Sequence, residues 1–208
     1  MNKLKVALIS LFSFALASAA SAEYRIGVSA QYHMFETTGT ETLRQSSNTT
    51  RTSVDEKVVV PSLFLEVVSD AGLGIGVDYV PVAELGSGTG DDDDAETSGA
   101  NTASAELASH ITYYAIIQGE QGLYAKLGMA FADVDTTENL ATGDAYPNTT
   151  TEGPMIALGY SMDQGNYFVR GEVSHIAYDD VSITSTGGSK VDASLETTAV
   201  TISVGKAF

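Results

Sequence analysis

The 208-residue sequence has no cysteine, no tryptophan and only four prolines. Without cysteine, the chain has no disulfide framework and no thiol chemistry. Lysine and arginine are also scarce, 10 against 27 aspartates and glutamates, which gives a formal net charge of −17. A chain this negative is repelled by the phosphates of nucleic acid, so nucleic acid is excluded as a partner.

Long apolar runs are missing beyond the N-terminus. Residues 1–22 combine a basic start at Lys3 and Lys5, an apolar run over 6–19 and small residues just before Glu23. This pattern predicts a secretory signal peptide over 1–22, followed by one domain over 23–208 with a formal charge of (10 − 2) − 27 = −19. No later run approaches the ~18 apolar residues of a spanning helix, so a membrane-spanning part would consist of strands.

The final segment, 195–208, shows the alternation of a strand most clearly. Small residues occupy one face, and Lys206 shares the other face with four larger apolar side chains, Val200, Ile202, Val204 and Phe208. A strand that ends on an exposed aromatic residue suits a membrane interface better than it suits water.

Eight segments alternate with period two, each near the ~9–11 residues of a tilted membrane strand. They are 24–35, 58–68, 73–83, 105–117, 123–134, 154–162, 167–178 and 195–208. Their connections alternate between short turns and long polar loops, the latter at 36–57, 84–104, 135–153 and 179–194. This order predicts an all-β fold, an eight-stranded antiparallel up-and-down transmembrane β-barrel with its long loops at one end.

With its final strand ending on Phe208 and its eight segments joined by connections of alternating length, the chain resembles the small eight-stranded outer-membrane β-barrels. These are the OmpA-type transmembrane domain and its OmpX-like relatives. The resemblance implies export to the bacterial outer membrane, contact with membrane lipid and lipopolysaccharide, and no cofactor. It also implies that the barrel-assembly machinery recognises the C-terminal strand through Val200, Ile202, Val204 and Phe208. We expect no peptidoglycan-binding domain of the kind that follows the barrel in full-length OmpA-type proteins.

Outward-facing aromatic side chains are expected near the strand ends, where they form two girdles at the membrane interfaces. Besides Phe208, those toward the periplasm are Tyr24, Tyr160 and Tyr167, and those toward the outside are Tyr32, Tyr79 and Phe131. Three of the four prolines fall at the outer ends of their segments, where the lack of an N–H donor disturbs the sheet least. They are Pro61, Pro81 and Pro154.

Charged residues on the inward faces are expected to form ion pairs in the lumen, because unpaired charges there would be costly. The predicted network contains Arg25, Glu66, Asp78, Glu106, Lys126, Arg170 and Glu172. An eight-stranded interior is only wide enough for side chains to fill, which favours a structural plug. A narrow, gated polar path is the alternative interpretation of the same residues.

Metal binding and catalysis are both disfavoured. The four aspartates at 91–94 lack the glycine and glutamate spacing of a calcium loop, so a solvated, self-repelling loop is favoured over a metal site. Ser174 and His175 are adjacent, but adjacent strand residues point to opposite faces and form no dyad without a bulge. The His-x-Ser arrangement of the lipid A deacylase barrels is absent at His33, His110 and His175, and no enzyme is predicted.

The sequence therefore predicts an outer-membrane barrel with a filled polar lumen and a structural or adhesive role, exercised by acidic external loops on an extracellular partner. A narrow porin-like channel for ions or small solutes is the alternative, and a lipid A-modifying enzyme is a weaker one. A soluble periplasmic lipid-binding barrel would need apolar residues facing inward, where this sequence is expected to place glycine, serine and charges.

Overall fold

The computed structural model describes residues 22–42, 49–92 and 99–208. The predicted signal peptide lies outside the described residues except for Ala22, and Asp93 and Asp94 also lie outside them. The described strands are β1 (Ala22–Thr42), β2 (Thr49–Ser69), β3 (Leu73–Val80), β4 (Ala83–Asp92), β5 (Gly99–Gln118), β6 (Leu123–Asn139), β7 (Thr149–Gln164), β8 (Tyr167–Ala177), β9 (Val181–Thr184) and β10 (Lys190–Ala207). Within the described ranges, no helix is long and apolar enough to cross a membrane.

The strands form one antiparallel sheet that closes on itself. Neighbours pair in the order β1-β2-β3-β5-β6-β7-β8-β10, and β10 pairs with β1 to complete the ring. β4 follows β3 and pairs with β5, while β9 follows β8 and pairs with β10. The ring thus has eight positions, which confirms the predicted antiparallel eight-stranded barrel.

Side chains alternate between the outside and the interior along each strand, as predicted. In β2, Leu63 and Leu65 are exposed, whereas Phe64 and Glu66 are buried. The exposure is large for leucine: 56% for Leu63 and 67% for Leu158. Such an outward apolar band matches the hydrocarbon of a bilayer, which is the solvent that a transmembrane barrel meets.

Three short turns connect strands at one end of the barrel, called here the turn end, where β1 begins and β10 ends. Each of them contains a glycine in the left-handed backbone region, Gly72 at φ 77°, Gly122 at φ 88° and Gly165 at φ 62°. A Cβ on Gly72 or Gly122 would also overlap the carbonyl oxygen of Gln118 or of Ser161, respectively. Only glycine allows this close approach, which lets the Gln118 N–H donate to the Gly72 carbonyl at 2.8 Å.

At the opposite end, called here the outer end, the strands are longer than predicted. The β1–β2 ladder continues to the pair Thr42–Thr49, through most of the 36–57 stretch that was expected to be a loop. Likewise, β4 and β5 pair as far as Asp92 and Gly99. These segments contain many threonines, whose β-branched side chains favour strands, and pairing satisfies their backbone hydrogen bonds. Much of each predicted polar loop is therefore paired strand.

Prolines interrupt the ring at the outer end, first between β2 and β4. The β2–β3 ladder stops at the pair Leu63–Tyr79. The same register sets Pro61 opposite Pro81 two places further on. Neither proline has an N–H to donate, so the ladder does not continue past them and a seam opens between β2 and β4.

A second seam lies between β7 and β9. The β7–β8 ladder stops at the pair Met155–Ile176, one place before Pro154. Beyond the two seams, the outer end divides into two sheets. We call them the β1 sheet, which contains β2, β1, β10 and β9, and the β5 sheet, which contains β4, β5, β6 and β7.

Candidate functional site: the lumen and the external sheets

Four aromatic side chains line the lumen, each over a glycine directly opposite on a neighbouring strand. The cross-strand pairs are Phe64–Gly27, Tyr114–Gly76, Tyr124–Gly159 and Phe168–Gly205. A Cβ on any of these glycines would overlap the facing ring. The rings therefore lie close against the wall and leave the centre of the lumen to charged groups.

Glu66 lies at the centre of the lumen with none of its side chain exposed. Both of its carboxylate oxygens accept a hydrogen bond from Arg170 Nη1 at 2.8 Å, and the Tyr114 hydroxyl donates to Oε1 at 2.9 Å. The Arg170 guanidinium also stacks on the Phe168 ring, with Cζ 4.3 Å from its centroid. These charge-assisted bonds offset the desolvation of a buried ion pair.

Lys126 connects this pair to a second carboxylate. Its ammonium lies 2.7 Å from Glu172 Oε2, at an angle outside hydrogen-bond geometry, and 3.8 Å from Glu66 Oε1. The same ammonium lies 4.4 Å from the centroid of the Tyr114 ring, a cation–π contact. Two cations and two carboxylates thus form one layer across the lumen. We call Glu66, Lys126, Arg170 and Glu172 the charge layer.

Two other residues predicted for this network lie away from it. Arg25 lies toward the turn end, where it pairs with Glu23 and donates to Gln118 Oε1 at 2.6 Å. The prediction for Glu106 is wrong, because its side chain is exposed. A bulge just after Leu107 shifts the alternation of β5 by one residue, so Leu107 is buried instead.

Asp78 lies in the lumen beside the charge layer but outside its ion pairs. Gln31 Nε2 donates to Oδ1 and Ser62 Oγ donates to Oδ2, each at 2.9 Å. Among the described side chains, no lysine or arginine forms an ion pair with Asp78. The carboxylate lines a cavity of about 40 Å³. That volume holds only about three water-sized species.

Toward the outer end, the interior is apolar. We call this the apolar layer, and it is formed mainly by Val60, Val80, Leu107, Ala132, Tyr178 and Leu195. The space left between these side chains is about 30 Å³. His33 and His110 line both cavities and lie between the two layers. Glycine, serine and charges were expected inside the barrel, and this apolar layer was not, although the inward valines of β2 are a signal for it.

The segment 140–148, between β6 and β7, joins the two external sheets. The Tyr146 hydroxyl donates to Glu41 Oε1 of β1 at 2.8 Å, and burial together with this bond raises the pKa of Tyr146. The Ala145 N–H donates to Thr186 Oγ1 at 3.0 Å, and the Thr186 N–H donates to the Ala145 carbonyl at 2.9 Å. The segment thus connects the β5 sheet to the β1 sheet across the outer end.

The residues predicted for the membrane interfaces and for assembly have exposed side chains. Those predicted for the interfaces are Tyr24, Tyr32, Tyr79, Phe131, Tyr160 and Tyr167, and those predicted for assembly are Val200, Ile202, Val204 and Phe208. The Phe208 N–H donates to the Tyr24 carbonyl at 2.9 Å, which closes the ring at the turn end. The ammonium of Lys206 lies 4.6 Å from the Phe208 ring centroid. Recognition of this strand by assembly machinery stays a prediction.

The histidine at the outer end of β8 is not arranged for catalysis with its neighbour. Ser174 is buried, whereas the imidazole of His175 is partly exposed, with Nδ1 3.2 Å from Thr198 Oγ1 and Nε2 4.0 Å from Glu196 Oε2. The two side chains point to opposite sides of the wall. In the described ranges, no three histidine or acidic side chains converge as a metal site.

The chain is similar to solved outer-membrane proteins. The crystal structure of outer membrane protein OprG from Pseudomonas aeruginosa has a TM-score of 0.57 and 13% identity, over 90% of this chain and 96% of that chain. Ail, the attachment invasion locus protein of Yersinia pestis, solved with the heparin analogue sucrose octasulfate, has a TM-score of 0.48 and 10% identity, over 90% and 99%. AlkL, solved in DMPC bilayers, has a TM-score of 0.49 and 10% identity, over 90% of each chain.

No protein-family model and no curated protein sequence matches this chain. Its fold is therefore identified from the closed ring of eight strand positions, the outward apolar band and the likeness to OprG. The chain has the fold of the small eight-stranded outer-membrane β-barrels.

Proposed function

We propose that this protein is a sealed barrel of the bacterial outer membrane whose external sheets act on partners outside the cell, in adhesion or in envelope integrity. The observation that carries the proposal is the filling of the lumen by two successive layers, one charged and one apolar. Water crosses an apolar constriction poorly even where nearby polar groups rearrange. The exposed apolar band would contact outer-membrane lipid, and the external sheets would lie among the lipopolysaccharide headgroups.

The stretches that supply the two external sheets differ in net charge. The stretches 84–104 and 135–153, which supply much of the outer β5 sheet, contain six and four carboxylates and no lysine or arginine. The stretches 36–57 and 179–194, which supply the outer β1 sheet, contain seven carboxylates and four cationic residues. The field of the β5 sheet attracts cationic partners and repels a second copy of itself.

The seam between β2 and β4 favours a partner with an extended backbone. Among the described strands, β4 pairs only with β5, and beyond Leu63 toward the outer end β2 pairs only with β1. An unpaired edge presents N–H and C=O groups that accept an additional strand. The partner supported best is therefore an extended, cationic peptide segment that pairs with the edge of β4.

Binding of a lysine- and arginine-rich peptide to the refolded protein in lipid nanodiscs tests this function. Replacing the four aspartates at 91–94 by asparagine should weaken binding by roughly tenfold at low salt and flatten its salt dependence. The matched control replaces Glu120 and Asp163, two acidic residues in or beside turns at the opposite end, and should bind normally. Equal weakening by both variants, or no binding by the unmodified protein, would contradict the proposal.

A narrow ion channel is the second candidate, and one observation favours it. Lys126 lies near both Glu66 and Glu172, so the contact between Glu66 and Arg170 has an alternative pairing available. Conductance of the refolded protein in a planar bilayer separates the two functions. The sealed barrel should show no steps above background. Reproducible small steps that change when Arg170 or Glu172 is neutralised would establish the channel instead.

Catalysis is not proposed for this barrel. Ser174 and His175 point to opposite sides of the wall. They therefore cannot act together as the nucleophile and base of a lipid A-modifying reaction.

A further inference from the structure

Lys206 places a positive charge on the outward face of the barrel near the turn end. In the register of the ring, Ile26 of β1 and Tyr167 of β8 lie directly beside it. Its neighbours on the same face along the chain are Val204 and Phe208. All four residues are apolar or aromatic, and each has an exposed side chain. An ionisable residue in such an apolar band is costly without a counter-charge, so it indicates a site of interaction.

No carboxylate in the described part of the chain neutralises this charge, because none of the ion pairs between described residues contains Lys206. Residues 1–21, which precede β1, contain no aspartate or glutamate. The ammonium lies 4.6 Å from the centroid of the Phe208 ring and 5.7 Å from that of the Tyr167 ring. These cation–π contacts offset part of its desolvation, but the rings carry no net charge. The counter-charge is therefore expected from a molecule beside the barrel.

The surrounding aromatic side chains define the depth of Lys206 in the membrane. Tyr24, Tyr167 and Phe208 are all more than half exposed, at 57%, 63% and 67%. Exposed aromatic side chains of a barrel lie at the membrane interface, level with the lipid headgroups. Short turns mark the periplasmic end of such barrels, and a lysine at the interface extends its ammonium into the headgroup layer. The anions available to Lys206 at this depth are phospholipid phosphates.

We propose that Lys206 binds the phosphate of an anionic phospholipid in the periplasmic leaflet, flanked by the rings of Tyr167 and Phe208. A headgroup with a net negative charge neutralises the ammonium, whereas a zwitterionic headgroup brings a cation of its own. Lys206 lies on β10, between β1 and β8, so the bound lipid contacts the strands that close the ring. It therefore couples the stability of the closed barrel to the lipid composition. This inference does not depend on the function of the external sheets.

Equilibrium unfolding by urea tests the site, with the protein refolded in phosphatidylcholine vesicles that contain increasing phosphatidylglycerol at constant ionic strength. A lipid that binds only the folded barrel lowers the unfolding constant in proportion to its concentration above its Kd. Raising phosphatidylglycerol from about 5% to about 30% of the lipid should therefore lower the unfolding constant by up to about sixfold. An unchanged constant would overturn the proposal. An equal effect of inorganic phosphate in phosphatidylcholine alone would also overturn it, because a free anion would then suffice.

Lys206→Gln removes the charge but keeps a long polar side chain, and it should abolish the dependence on phosphatidylglycerol. Lys206→Arg keeps the charge and should retain the dependence, and Lys206→Met serves if Lys206→Gln does not refold. The matched control is Lys57→Gln, which makes the same change in net charge at an exposed lysine of β2 and should retain the dependence. A dependence that persists without the Lys206 charge, or that Lys57→Gln removes equally, would overturn the site, because the lipid would then act through the general field of the barrel.

Discussion

Glu66 is held in a fully buried position because groups from three other strands converge on its carboxylate. Arg170 reaches it from β8, Tyr114 from β5 and Lys126 from β6. The alternation along each strand places these side chains in the lumen, but their convergence depends on the stagger between strands. Each partner compensates part of the desolvation of Glu66, so losing any one charge affects the others.

Glu66→Gln should lower the free energy of unfolding by about 3–5 kcal/mol, because Arg170 and Lys126 are left as buried cations without this carboxylate. Urea unfolding of the refolded protein in lipid vesicles measures the loss. Lys190→Gln breaks an exposed ion pair with Asp192, in which Nζ lies 2.8 Å from Oδ1, and should leave the free energy unchanged. Similar losses in the two variants would mean that burial of the Glu66 ion pair is unimportant.

Gly159→Ala should destabilise the barrel by about 1–3 kcal/mol, since its Cβ would displace the Tyr124 ring from the wall toward the charge layer. Gly171→Ala is the matched control, because a Cβ there has no neighbour within 4 Å. Thermal unfolding of both variants gives the comparison. Replacing Tyr124 by leucine in the Gly159 variant should recover part of the loss, and no recovery would assign the effect to the backbone alone.

At the scale of the element, proline positions decide how far the strands pair. Pro61 and Pro81 face each other across the β2–β3 register, and Pro154 lies just beyond the end of the β7–β8 ladder. A closed barrel otherwise leaves no edge unpaired. The prolines therefore divide one ring near the turn end into two sheets near the outer end. The proposed peptide-binding edge of β4 is a direct consequence of that division.

Changing both Pro61 and Pro81 to valine should extend the β2–β3 ladder, because each new N–H becomes a donor at the seam. Hydrogen exchange at Ser62 and Val80 should slow. Binding of a cationic peptide should weaken, because the edge is then already paired. Pro147→Ala, in the segment between β6 and β7, is the control and should change neither property. Unchanged exchange at both amides would show that the prolines are not the cause of the seam.

For the whole molecule, closure of the ring is the central requirement, since a single open edge in lipid would leave a row of unpaired backbone groups. β10 forms this closing pair with β1 along its whole length, from Arg25–Ala207 to Thr42–Lys190. At the turn end, the pairing is completed by the Phe208 N–H and the Tyr24 carbonyl. Phe208 thus takes part in the pairing that closes the barrel.

Deleting Phe208 should slow folding into lipid vesicles and lower the yield of folded barrel, because it removes both that hydrogen bond and the terminal aromatic ring. Unheated samples on a detergent gel separate folded from unfolded chain over time. Phe208→Leu keeps the backbone donor and should have a smaller effect. If the two variants fold equally slowly, the aromatic ring and not the closing hydrogen bond limits folding.

Much of the barrel is determined by local features of the sequence. The face to which a side chain points follows from strand periodicity, so the outward apolar band and the inward glycines and charges were predicted from their spacing. The end of the barrel that carries the long hairpins follows from the lengths of the connections. Pro61 and Pro154 were expected at strand ends, but β2 and β7 continue past them in ladders with β1 and β6. Only the ladders on the other side of each strand stop near these prolines, because the missing N–H removes a donor.

Only the tertiary structure decided which inward residues meet. The stagger of the strands brings Glu66, Lys126, Arg170 and Glu172 into contact, whereas Arg25 pairs toward the turn end and Asp78 lies beside the charge layer outside its ion pairs. The bulge after Leu107 excluded Glu106 from the lumen and placed Leu107 in the apolar layer. Register and bulges are relations between strands, so they are settled when the ring closes and not by the order of residues within any one strand.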